Sequence, residues 1–207
     1  MISKNMIGVP LETTTTKTIA GVAKQLDKTE IVYPTTLSTP QTGDLVLPLY
    51  VKSFDNLNNT PSTEITYDKY DSKGNLQQYT TKEGIPTTII WGYNNTQPIA
   101  RIEGAKLADI PQSLIDNIVN SSINDAQLST DASEQSLISA LDVFRNNAVL
   151  SGYQITTYSY DPLIGVRSIT PLSGIRELYK YDIANRLEKV IDINGKVLKE
   201  YKYNYKN

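Results

Sequence analysis

The chain contains no cysteine and no histidine. The first absence excludes disulfides and thiol nucleophiles, and the second excludes imidazole as acid, base or metal ligand. Any catalysis would fall to carboxylates, hydroxyls, lysine or tyrosine. Phenylalanine and tryptophan are scarce, at 2 and 1 residues, against 14 tyrosines. A sealed core draws on Phe, whereas Tyr suits a half-buried sheet that is wet on one side. No apolar run approaches the length of a membrane-spanning helix. The opening Met1-Ile2-Ser3-Lys4-Asn5 leads into polar sequence without an apolar h-region, so no signal peptide is read in this chain. Net charge is −2 with no long run of one sign, which argues against a nucleic-acid footprint or a membrane-surface patch. With 207 residues, 39% of them hydrophobic, the chain can bury a core as one domain or two small ones.

What is present is a repeat. From Tyr160-Asp161 and from Tyr181-Asp182, an aliphatic residue follows at six positions (Val166, Leu187) and another at nine (Ile169, Val190). A glycine closes each unit at fourteen (Gly174, Gly195). The period is 181 − 160 = 21 residues, then 203 − 181 = 22 to Tyr203-Asn204. Tyr70-Asp71 matches the same template, with Leu76, Tyr79 and Gly84, and Tyr93-Asn94 is a degenerate copy keeping Ile99 and Ile102. Periods of this size are the signature of repeat architectures.

Residues 1–64 read as a β or irregular segment. A Thr-rich strand is expected between Val9 and Ile19, with further strands at Asp27–Tyr33 and Leu45–Val51, the last demoted toward an edge by Pro48. Asp55–Pro61 is a loop. Residues 65–104 form repeat hairpins: Lys73-Gly74-Asn75 turns between two strands, Glu83-Gly84 turns again, and Ile85, Thr87, Ile89, Trp91 and Tyr93 alternate on one face. Residues 105–151 break the pattern as a helical insert. Asp109 is expected to cap a first helix with Pro111 in its first turn and Leu114, Ile115, Ile118 and Val119 on one face. A polar link at Ser121–Thr130 precedes a second helix, capped by Ser133, striped with Leu137, Ile138, Leu141 and Phe144, and ended by Asn146-Asn147. Repeat hairpins resume over 152–207.

Asp71, Asp161 and Asp182 recur at one position and, with Gly84, Gly174 and Gly195, read as turn residues whose carboxylates accept backbone N–H bonds; a catalyst has no reason to recur in every unit. No catalytic residue, metal ligand or cofactor site is predicted. Two residues before the Tyr origins stand Trp91, Tyr158, Tyr179 and Tyr201, expected to stack as an aromatic ladder with Glu177 facing Lys199 across adjacent strands. Alternatively, Trp91, Tyr93, Tyr158, Tyr160, Tyr179 and Tyr181 form a platform for sugar rings.

The Tyr-Asp origin, the turn Gly or Asn, the aliphatics and the closing Gly resemble the YD repeats of bacterial Rhs-type proteins and their teneurin relatives. Tyr67–Gly104 and Gln154–Tyr205 carry the resemblance, notably Tyr160-Asp-Pro-Leu-Ile-Gly165 and Tyr181-Asp-Ile-Ala-Asn-Arg-Leu187. It implies β-hairpins wound into a spiralling sheet, and a secreted or cell-surface setting. Four or five hairpins cannot close a shell, and the aspartate-bearing core that releases a C-terminal toxin has no counterpart here. Toxin encapsulation is therefore not carried over, and a terminal piece or shortened descendant of a larger YD-repeat protein is expected. The resulting expectation is a mainly β fold of stacked hairpins in a twisted open sheet plus an αα-hairpin. Its function is that of a non-enzymatic structural or interaction module, or else carbohydrate binding. Its partners are the remainder of a larger YD-repeat shell or another protein at an exposed strand edge, or glycans.

Overall fold

The computed structural model describes residues 8–204. Met1-Ile2-Ser3-Lys4-Asn5 and Tyr205, the last position of the repeat resemblance, lie outside the described residues. Within them, twelve antiparallel strands follow one another in chain order in an open sheet, with two helices inserted between the seventh and eighth. The chain divides into two compact units, one running to Thr87 and the other starting at Thr88.

The first unit contains β1 (Glu12–Ile19), β2 (Val22–Val32), β3 (Tyr50–Phe54), β4 (Pro61–Tyr70) and β5 (Leu76–Thr81). The Thr-rich strand lies where β-branching places it. Strand β2 starts earlier than expected, because Ala20 and Gly21 adopt φ of 51° and 81° and close a tight hairpin with Ile19 opposite Val22. Strand β3 starts later than expected, at Tyr50. Residues 45–49 stay irregular instead: Leu45 and Leu47 lie against Gly74, and the Pro48 carbonyl accepts the Tyr70 hydroxyl at 2.9 Å. Among the described residues of this unit only Thr42 and Thr87 are buried, and all eight residues of β1 are exposed. The unit is a sheet without a core of its own.

The second unit takes in most of β6 (Pro86–Gly92), then β7 (Gln97–Glu103), α1 (Gln112–Leu128), α2 (Asp131–Arg145), β8 (Gln154–Asp161), β9 (Gly165–Thr170), β10 (Glu177–Tyr181), β11 (Leu187–Asp192) and β12 (Val197–Glu200). The insert is helical as expected, but its helix ends differ. Asp109 sits in a short 3-10 turn, where its carboxylate accepts the Lys106 amide at 3.0 Å, and Pro111 is the N-cap of α1. Helix α1 continues through the supposed polar link to Leu128 and ends where Ser129 turns left-handed, φ 49°. The cap of α2 is Thr130, not Ser133. Thr130 Oγ1 accepts the Ser133 amide while Ser133 Oγ accepts the Thr130 amide, a reciprocal capping box.

Helical periodicity then decides the packing. Ile115 and Ile118 of α1, with Leu137, Leu141 and Phe144 of α2, bury against Ile90, Ile102 and Ile155 of the sheet. Each such side chain contributes roughly 1.5–3 kcal/mol by leaving water. The sheet presents its residues to the helices in alternation: Thr88, Ile90 and Gly92 on β6, then Ile155, Thr157 and Ser159 on β8, are all buried. Gly92 has to lack a side chain, since a Cβ there would sit 2.4 Å from Ser122 Oγ and 2.7 Å from Ile99 Cγ2. Gly92→Ala is expected to destabilise the fold by about 1–3 kcal/mol, read as a lower urea midpoint with unchanged slope. An unaltered midpoint would mean that α1 does not press on β6 as described.

Candidate functional site

The turns aim the strands that carry the candidate side chains. Asp71 Oδ1 accepts the amides of Lys73 and Asn75, both at 2.8 Å; the Asp71 amide donates to the Asn75 carbonyl, and its carbonyl accepts the Gly74 amide. Asp182 repeats each bond with Ala184, Arg186 and Asn185. Asp192 repeats them again with Asn194, Lys196 and Gly195, and sequence reasoning missed it. The fourth residue is left-handed in every case: Gly74 at 91°, Asn185 at 58°, Gly195 at 81°. The signal that could have found Asp192 is the spacing Asp-x-x-Gly/Asn. Arg186 clamps the second oxygen of Asp182 and holds that carboxyl below its ordinary range, chiefly through side-chain hydrogen bonds.

Asp161 is a variant. Its Oδ1 accepts the Leu163 amide at 2.9 Å, and the positive φ falls one residue later, at Gly165. There a Cβ would meet the Tyr181 hydroxyl at 2.9 Å. The glycines at the other strand ends, Gly84 and Gly174, both have φ of 78° and donate to the Thr81 and Pro171 carbonyls. Each carboxylate of this repeat position thus accepts at least one backbone amide, with Asn75 on the second oxygen of Asp71 and Arg186 on that of Asp182.

The six proposed platform aromatics do not form one surface. On β6 the alternation that turns Thr88, Ile90 and Gly92 to the helices turns Ile89 and Trp91 to the opposite face. Tyr158 and Tyr179 share that orientation within their own strands. The register rows run Tyr158–Ile169–Glu177 across β8, β9 and β10, then Tyr179–Val190–Lys199 across β10, β11 and β12. Tyrosines of successive repeats are therefore two strands apart, with aliphatic residues between, and no continuous ladder of rings results. Glu177 and Lys199 lie on strands separated by β11, and Glu177 instead accepts the Tyr179 hydroxyl at 3.0 Å. Tyr160 stands opposite Val166 and the Tyr181 hydroxyl donates to the Val166 carbonyl, so the two origins share a neighbour.

Tyr93 leaves the platform altogether. The chain departs from the strand after Gly92, Tyr93 takes φ of 50°, and its ring is 2% exposed. Its hydroxyl donates to Asp125 Oδ2 at 2.9 Å and accepts the Tyr160 amide at 2.9 Å, while its own amide donates to Ser122 Oγ at 3.0 Å. Asp125 Oδ1 lies 2.9 Å from Ser133 Oγ. The Tyr160 ring meets that of Tyr93 edge-on at 5.8 Å. One phenol thereby ties α1, the start of α2 and the end of β8 together. Burial, then the nearby Asp125 carboxylate, raises its pKa well above the ordinary range. Ser122 and Asp125 were also missed. They continue the Ile115–Ile118 stripe at positions i+4 and i+7 from Ile118, a periodicity hidden by their polarity.

Arg145, in the last turn of α2, donates to the carbonyls of Ile155, Thr170 and Pro171, and Arg176 donates to Thr170 Oγ1 and pairs with Asp142. Asp142, Arg145, Thr170 and Arg176 line an open cleft of about 550 Å³ that also includes Ile175, Asp192 and Ile193. The guanidiniums are spent on fastening the helix end to the strand ends. The strand at the end of the sheet, β12, is exposed at all four residues and pairs only with β11 among the described residues.

Comparison with family models finds no match to the chain, and comparison with curated proteins finds none either.

Two measurements test this geometry. Tyr93→Phe strands the buried Asp125 oxygen and the Tyr160 amide and is expected to cost about 1–3 kcal/mol in urea unfolding; a loss below a few tenths would dissolve the knot. Burial also pushes Tyr160 and Tyr179 up from 10.0 to about 12, with the Glu177 carboxylate adding to the rise at Tyr179. Because the folded values exceed the unfolded ones, their contribution is complete below about pH 10 and is lost as pH climbs through about 12. Denaturation midpoints should fall across that window in step with tyrosinate absorbance. A flat profile would contradict the burial.

Proposed function

We propose that the chain is a non-enzymatic structural and interaction module of a YD-repeat, Rhs-like protein that is secreted or displayed at the cell surface. The observation that carries this reading is the turn repeated bond for bond at Asp71, Asp182 and Asp192. A feature copied along a chain serves construction, since chemistry needs it once. The exposure of β1 and β12 supports the same reading, because unpaired strand edges are templates for another chain. The partner is then the remainder of a larger YD-repeat shell or a second protein seated on an edge.

Carbohydrate binding is the second reading, favoured by Trp91, Tyr158 and Tyr179 on sheet faces away from the helices. A glycan array separates the two. The module reading expects no retained sugar with the wild-type chain. A hit that disappears in Trp91→Ala or Tyr179→Ala, with the fold intact, would replace it by carbohydrate recognition.

A further inference from the structure

The edge strand β12 and the residues after it carry a pattern that is complementary to itself. The Tyr201 amide donates to the Glu188 carbonyl at 2.9 Å, and Lys189 faces Glu200 in the register of β11 with β12. Backbone groups alternate sides along a strand, so those of Tyr201 point into the sheet and those of Glu200 and Lys202 point out to its open edge. β12 ends at Glu200, and beyond it the Tyr203 hydroxyl donates to the Leu187 carbonyl at 2.8 Å and its ring lies 4.4 Å from the Arg186 guanidinium, so the chain keeps running alongside β11. Glu200 and Lys202 project on one face, where their charged ends are 3.5 Å apart, and both are exposed.

We infer that β12 pairs antiparallel with β12 of a second copy of this chain about a two-fold axis through Tyr201. Only registers that set outward-pointing residues against outward-pointing residues complete the ladder. Centring on Glu200 would oppose Glu200 to Glu200. Centring on Tyr201 opposes Glu200 to Lys202 and Lys202 to Glu200, so two charge pairs form on one face, while the two Tyr201 residues meet at the close-spaced, non-hydrogen-bonded position with their rings on the other face. The interface is isologous and closes at two copies. The open edge of β12 is thereby paired. This inference rests on the interaction-module reading and names its partner.

The test uses the 207-residue chain in sedimentation velocity across a concentration series. A monomer–dimer equilibrium is expected. Glu200→Lys sets lysine against lysine and Lys202→Glu sets glutamate against glutamate, so each alone should weaken the dimer by about tenfold or more. Mixing the two variants in equal amounts brings a strand with lysine at both positions against a strand with glutamate at both. Association should then return as a heterodimer. The chain carrying both substitutions exchanges the two charges within one strand and should restore the homodimer. Both positions are exposed, and unchanged circular dichroism and melting would certify the fold. A wild-type chain that stays monomeric at its highest soluble concentration overturns the inference, as does association that ignores the single swaps or is not recovered on mixing. Those results would leave the module reading standing if the glycan array is blank, whereas a sugar hit removes that reading itself.

Discussion

A carboxylate oxygen that accepts two backbone amides sets the geometry of this molecule. At Asp71, Asp182 and Asp192 it fixes a turn of constant length, and the left-handed residue that follows three places on reverses the chain at once. Each turn hands the chain to a strand whose side chains alternate between the two faces, so a residue's place in its strand decides which side of the sheet it occupies. The helices depend on that alternation. They find Thr88, Ile90, Ile155 and Thr157 on a single side because β6 and β8 each alternate their residues between the two faces, and Glu103 and Gln154 hold β7 and β8 in register at the ends of the insert.

The same constraint explains the dearth of Phe. Helices cover only part of one side, and the rest of the sheet is half wet. Tyrosine supplies a large apolar ring there and a hydroxyl that finds a carbonyl: Tyr70 with Pro48, Tyr181 with Val166, Tyr203 with Leu187. Phe144 and Phe54 show the contrast, the former sealed under the helices, the latter half-buried beneath the Lys28 ammonium.

Much of the fold was legible in the sequence, because Asp, Gly and alternating β-branched residues act locally. The hairpin at Gly74, the helical insert and the mainly β open sheet all follow from short-range rules. The period of 21 residues concealed a shorter unit of one strand and one turn, since turn residues at opposite strand ends differ in identity though not in conformation: Asn185 and Gly195 are both left-handed. Tyr93 was misplaced because alternation carries no information about where a strand stops, and Gly92 ends it under pressure from Ser122. Helix α1 was cut short because Ser122 and Asp125 look like a linker. The Tyr93 hydroxyl, 32 residues earlier in the chain, and the Ser133 hydroxyl each donate to one oxygen of that carboxylate and make its burial acceptable.

The insert itself leaves the sheet at Glu103 and returns at Gln154, and these two residues face each other across β7 and β8. From the viewpoint of the strands, everything between them is a closed appendage hung where the other hairpins have a tight reversal. Its length is invisible to the register on either side. Natural sequence, or a protein engineer, can graft a different body at that junction, on one condition: the graft has to bring its own oily underside for Ile90, Ile102 and Ile155.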